Sequence, residues 1–205
     1  MIVIIDYGAG NLRSVVNAIR HLGYQPKITR NPSDLAHAQA VILPGVGAAA
    51  DTITNLRQQQ LIKPIHQCLR DGKYFLGICV GMQILLTSTE EGGWSACLDI
   101  IPGEVKKLPE GLKVPHMGWN QVKQASHHLI FTDIPDETNF YFVHSYYVDP
   151  EDKSLIIGKT DYGIPFCSVI AKENIVATQF HPEKSGQYGL KMYDNFLKMA
   201  YGQLT

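Results

Sequence analysis

The chain has 205 residues, of which 45% are hydrophobic and 18% charged, and its formal net charge is -1. At roughly 100–200 residues per domain this composition suits one folded domain over residues 1–205 and excludes a disordered chain. A near-neutral balance leaves no electrostatic footprint for nucleic acid or an anionic membrane.

The apolar opening, residues 1–5, stops at Asp6, far short of a secretory core or a span of about 20 apolar residues. Four cysteines (Cys68, Cys79, Cys97 and Cys167) stand far apart with no C-x-x-C pair. Neither a zinc ribbon nor a disulfide framework is expected, no metal or other cofactor is implied, and a reduced, cytoplasmic protein is the default.

Residues 2–5 form a β-branched run typical of a buried strand, followed by the loop Asp6-Tyr7-Gly8-Ala9-Gly10-Asn11 and a helical pattern over 12–22 that Gly23 stops. This order invites a dinucleotide fingerprint, but Arg13 replaces the third glycine of G-x-G-x-x-G, so a tight turn or a partner-facing loop fits better. A short strand at 25–29, turn chemistry at Asn31-Pro32 and a third strand at 41–43 follow. That strand runs into Pro44-Gly45-Val46-Gly47, either a simple turn or a loop whose amides face a crevice at the strand's carboxyl end. Helical stretches at 49–59 and 62–69 lead to an apolar strand at 74–78, Cys79 at its end, and helix formers at 82–86.

The alternation of strands and helices predicts an α/β fold, an open, largely parallel sheet flanked by helices. From Gly103 the texture changes to short strand-like pieces at 104–107, 120–123, 140–144, 154–160, 166–171 and 175–179, an antiparallel extension, before an amphipathic helix at 190–199.

Cys79 sits in a G-x-C-x-G turn between strand and helix, the frame of a nucleophile elbow with sulfur in place of oxygen. Free amides behind the sulfur favour thiolate and can hold an oxyanion; a small core cysteine is the alternative. Of eight histidines, His21, His37 and His66 fall on polar helix faces and His127 and His128 in a polar loop, leaving His116, His144 and His181. His181-Pro182-Glu183 places an imidazole and a carboxylate two residues apart on extended chain, and the residue before proline favours that conformation. A carboxylate-oriented imidazole is what thiol activation requires.

The segments GICVGMQ (77–83) and TQFHPEKSG (178–186) resemble the nucleophile and His/Glu motifs of class I, triad-type glutamine amidotransferases. IDYGAGNLRSV (5–15), LPGVGA (43–48), VPHMGWN (114–120) and FYFVHSYY (140–147) are most similar to the glutaminase subunits of imidazole glycerol phosphate synthases, and the likeness covers essentially the whole chain. The resemblance implies a Cys79, His181, Glu183 triad that hydrolyses glutamine, with Val46 or Gly47 and Val80 as oxyanion donors. It implies substrate contacts at Gly47, Gln83, Ser145 and Tyr146. It also implies a (β/α)8 cyclase subunit as partner, receiving ammonia, with Asn11, His116, Trp119, Asn120 and Tyr141 near the interface. Val80 stands where leucine is common, a change that a backbone donor tolerates. An anthranilate synthase or vitamin B6 type glutaminase, or a binding-only subunit with this fold, are the alternatives.

Overall fold

The computed structural model describes residues 1–8 and 11–204. Its first half builds β1 (Ile2–Ile5), α1 (Leu12–His21), β2 (Pro26–Thr29), α2 (Pro32–Ala36), β3 (Ala40–Gly45), α3 (Ala49–Gln58), α4 (Ile62–Arg70), β4 (Tyr74–Cys79) and the single turn α5 (Val80–Gln83). β1 and β3 are buried along their whole length, which is why they read as continuous apolar runs without alternation. The chain goes from β1 outward to β2 and back past β1 to β3, so the strand order is β2-β1-β3-β4 and all three pairings are parallel. α1 packs with α6 (Gly186–Ala200), and α2 with α4. Right-handed crossovers place the two pairs on opposite faces of the sheet.

The second half adds β5 (Ser88–Thr89), β6 (Ser95–Ala96), β7 (Gly103–Lys107), β8 (His116–Gln124), β9 (Thr138–His144), β10 (Tyr146–Pro150), β11 (Ile156–Asp161), β12 (Pro165–Lys172) and β13 (Ile175–Thr178) before α6. β13 returns into the sheet parallel to β4, and from there β12, β10 and β7 extend it antiparallel, with β8 and β9 as a ribbon joined through β11. The fold is thus the expected largely parallel α/β sheet with an antiparallel extension. β4 is flanked by β3 and β13, with Gly45 opposite Cys79 and Thr178 opposite Ile78. The carboxyl ends of three parallel strands therefore deliver residues 46–48, Cys79 and residues 179–183 to one place.

Three expectations need correction. The helix behind Cys79 spans Val80–Gln83 rather than 82–86. The carbonyls of Ile84, Leu85 and Leu86 accept instead from the amides of Leu98, Ile100, Ile101 and Asp99, so a crossing loop takes the bonds a longer helix would use. α6 begins at Gly186, four residues before the expected start at 190. Two poor helix formers, Gly186 and Gly189, hide that start. Gly189 is required there, since a Cβ would lie 2.0 Å from the Pro182 carbonyl oxygen. His128, expected to lie solvated in its polar loop, is half-buried, because its Nδ1 turns in to accept from the Ile130 amide at 3.1 Å.

Candidate active site

Cys79 ends β4 with φ 55° and ψ -109°, a left-side conformation for a side-chain-bearing residue. Such conformations cost on the order of 1–3 kcal/mol and persist only where the surroundings enforce them. The enforcement is visible in the glycines: a Cβ on Gly81 would stand 2.0 Å from the Leu43 carbonyl oxygen, and one on Gly77 2.6 Å from the Gly81 oxygen. α5 is pressed onto the backbone of β3 and β4, and the chain turns sharply at Cys79 to reach it. The thiol is 4% exposed, with Sγ 3.6 Å from Gln179 Nε2 and 3.9 Å from the Val143 carbonyl oxygen.

His181 Nδ1 and Glu183 Oε1 are 2.8 Å apart. Pro182 sits at the first position of a 3-10 turn, Pro182–Lys184, so the two side chains meet around a tight turn rather than along extended chain. His181 itself keeps the extended φ of -101° and ψ of 98° that a following proline imposes. The turn is clamped: the His181 amide donates to the Tyr141 carbonyl at 2.9 Å, and Ser185 Oγ donates to the His181 carbonyl at 2.7 Å. Burial depresses His181, but the Cys79 sulfur and the Glu183 carboxylate outweigh it and push the pKa up to about 9. His181 Nε2 is buried with no hydrogen-bond partner among the described residues, so its capacity remains for the reacting groups of the cavity.

A cavity of about 530 Å³ opens over these groups, lined by Val46, Gly47, Val80, Gln83, Ser145 and Tyr146 together with Cys79, His181, Glu91 and Lys184. It therefore gathers the residues expected to hold an oxyanion and a substrate. Gly47 has φ +99° and open space at its Cβ position, so the 46–48 loop lies against nothing there. The Val46 amide and the Thr52 hydroxyl lie beside the Tyr7 phenol, whose pKa burial raises, with Cys79 adding and those two groups opposing. Gln83 is 3% exposed, and its Nε2 donates to the Tyr146 carbonyl at 3.0 Å and to Gln179 Oε1 at 3.2 Å. Tyr7, Glu91, Gln179 and Lys184 are neighbours of the site that the sequence reading missed. A glutamine at the end of the apolar strand, two residues before His181, was the available signal. A larger groove of about 650 Å³ between α2 and α4 contains none of these residues.

The expected interface residues divide by strand alternation. On β8 the even positions turn inward and the odd ones outward, so His116 is 3% exposed whereas Met117 and Trp119 are 62% and 58% exposed. Trp119 is therefore no core tryptophan. It meets Tyr141 edge-on at 6.1 Å, and Lys184 Nζ lies 5.6 Å over the Tyr141 ring. Asn120 directs its Nδ2 inward to the Asp161 carbonyl at 2.8 Å. Asn11 is exposed, caps no amide with its side chain, and accepts from Ser14 Oγ at 2.7 Å; the preceding residues 9–10 of its loop lie outside the described residues. Among the described residues no helix is long and apolar enough to cross a membrane.

A thiol on a strained strand-to-turn corner, faced by a carboxylate-bound imidazole, is the arrangement of a cysteine-dependent acyl-transfer site. The family model for class-I glutamine amidotransferases matches residues 3–200, and the chain belongs to that family. It is 57% identical to the imidazole glycerol phosphate synthase subunit HisH of Dehalococcoides mccartyi (strain CBDB1), over 98% of each chain. It is 50% identical to the subunit of the same name from Chloroflexus aurantiacus, over 98% of this chain and 96% of that one. A solved glutamine amidotransferase shares the fold at a TM-score of 0.77 and 16% identity, over 97% of this chain and 98% of the other.

Proposed function

We propose that residues 1–205 form one amidotransferase domain, the glutaminase subunit of an imidazole glycerol phosphate synthase, acting in the cytoplasm. The observation that carries the chemistry is the buried line of Cys79, His181 and Glu183. His181 takes the thiol proton, and the Cys79 sulfur and the Glu183 carboxylate beside the ring hold it there. Sγ attacks the side-chain amide carbon of glutamine, and the oxygen of the tetrahedral adduct takes negative charge. The Val80 amide behind the sulfur and an amide of the 46–47 loop receive that charge, each donor of this kind being worth about 10²–10³ in rate. His181 then gives its proton to the departing nitrogen, leaving ammonia and a γ-glutamyl thioester. The neutral ring takes a proton from water, hydroxide attacks the thioester, and glutamate leaves as Sγ is restored. Glu183 holds the ring in one orientation and supports its charge throughout.

Gly47, Gln83, Ser145 and Tyr146 line the space where the glutamine would lie. Ammonia released into water gains a proton and is lost as a nucleophile, so a closed route to a second subunit has a chemical purpose. The exposed Trp119, Tyr141 and the Lys184 of the catalytic turn form a contiguous row suited to that contact. The relatives named above support a cyclase as the partner that uses the ammonia.

The test is covalent: a glutamine analogue bearing an electrophilic diazoketone is added to the complex with the cyclase subunit, and the modified peptide is identified by mass spectrometry. Labelling at Cys79 that excess glutamine suppresses is expected. Labelling spread over Cys68, Cys97 and Cys167, or indifferent to glutamine, would overturn the proposal.

A further inference from the structure

A polar chain of fixed direction runs from β8 to the nucleophile, and the mechanism above does not use it. The Tyr146 carbonyl oxygen is its centre, and a carbonyl only accepts. His144 Nδ1, 2.9 Å away, must therefore carry a proton, and Gln83 must turn its amide nitrogen there, at 3.0 Å. In neutral His144 this leaves Nε2 as an acceptor, so His116 Nδ1, 2.9 Å away, is the donor and His116 Nε2 accepts from Asn120 Nδ2 at 3.2 Å. In the other direction Gln83 Nε2 gives its second hydrogen to Gln179 Oε1 at 3.2 Å. Gln179 is thereby obliged to present its amide nitrogen to Cys79 Sγ, at 3.6 Å. Every member has one permitted orientation, settled by the single carbonyl.

We propose that Gln179 is a catalytic residue, a hydrogen-bond donor to the Cys79 thiolate, and that the His116–His144 pair and Gln83 are positioning residues that hold its amide the right way round. The proposal rests on the reading of Cys79 as the nucleophile. A donor aimed at sulfur favours the thiolate, whereas the Val143 carbonyl, 3.9 Å away, suits the thiol. The histidine pair is suited to a fixed strut. His144 and His116 are 5% and 3% exposed, and His116 stacks on Tyr162 and Phe142 with ring centroids 4.0 and 4.9 Å away. Burial lowers His116 to about 4 and His144 to about 3, with the Tyr146 carbonyl opposing and neighbouring histidines adding for His144, so both are neutral wherever glutamine hydrolysis would operate.

The experiment follows the alkylation of Cys79 by iodoacetamide against pH, with peptide mass spectrometry separating it from the other cysteines. Gln179→Met keeps the volume and removes the donor. Its alkylation inflection is expected to rise by about one pH unit, and kcat of the complex with the cyclase subunit to fall roughly 10–100-fold while KM moves less than about 3-fold. The other titratable groups that face the sulfur or line its cavity, His181, His144, Tyr146, Tyr7, Glu91 and Lys184, are the same in parent and variant, so the shift belongs to Gln179. His144→Phe is expected to move the inflection in the same direction. His144→Asn, whose amide nitrogen replaces Nδ1, is expected to restore part of it. An unchanged inflection and kcat in folded Gln179→Met would overturn the proposal.

If that variant does not fold, nitrogen NMR of the unsubstituted chain decides: protons on Nδ1 of both His116 and His144, and a side-chain amide shift of Gln179 when Cys79 is alkylated, are expected. A proton on His144 Nε2 would overturn the chain's direction. Failure of the parent complex to hydrolyse glutamine would instead remove the underlying reading, while the alkylation profile would still report whether Gln179 serves the sulfur.

Discussion

His181 Nδ1 stands 2.8 Å from Glu183 Oε1, and each side chain is only 2% exposed. A pair so dry is sensitive to the loss of either member. Glu183→Gln keeps the shape and removes the charge, and kcat is expected to fall about 10²–10⁴-fold. Steady-state glutamate release by the complex measures this.

The same pair has a stability signature. The pKa of His181 rises from 6.5 to about 9 on folding, so the folded state holds its proton more tightly than the unfolded chain. The resulting stabilisation is fully present below about pH 6.5 and is lost as pH climbs through about 9. Glu183→Gln removes part of the cause, so the gap in unfolding free energy between parent and variant should be widest at pH 6 and narrow towards pH 10. Urea melts across that range would show it; a gap that widened with pH would contradict it.

Gly81 is where the close approach of α5 to β3 is least forgiving. Gly81→Ala puts a methyl group 2.0 Å from the Leu43 carbonyl oxygen, a backbone atom that cannot swing aside. Destabilisation above about 3 kcal/mol is expected, at the upper end for single substitutions. Circular dichroism during urea unfolding would read it.

Asn195 is 1% exposed, and its Nδ2 donates to the Ile130 carbonyl at 3.0 Å and the Thr132 carbonyl at 2.8 Å, tying α6 to the turn at Leu129–Phe131. Asn195→Leu leaves two buried carbonyls without that donor and is expected to cost about 1–3 kcal/mol. The shift in melting temperature is the measurement.

Trp119 tests the proposed interface. At 58% exposed it contributes little to the isolated fold, so Trp119→Ala should melt within a degree or two of the parent. Its affinity for the cyclase subunit is expected to weaken by at least about 2 kcal/mol, roughly 30-fold, in calorimetric titration. Unchanged affinity would place the interface elsewhere.

The buried parallel strands were legible because burial on both faces leaves runs such as Ile2–Ile5 with nothing polar in them. The Cys79, His181 and Glu183 side chains were legible as short-range patterns, G-x-C-x-G and His-Pro-Glu, whose geometry is mostly local. What depends on distant partners was not. β10 exists because Tyr146–Pro150 pairs with Gly103–Lys107, and α5 is short because residues 98–101 take its would-be carbonyls. The inward turn of His116 and Asn120 follows from where β8 begins, and a glycine at the inward position 118 leaves no apolar side chain there to mark the alternation in the sequence. Gln179 gained meaning only when β13 was laid beside β4.

The measurement that bears most directly on the proposed function is glutamate release from glutamine by the purified chain, alone and with the cyclase subunit, in parallel with Cys79→Ala. The expected result is glutamate release in the presence of the partner that the Cys79→Ala variant abolishes. Release at the parent rate from Cys79→Ala, or none from the parent in either condition, would contradict it.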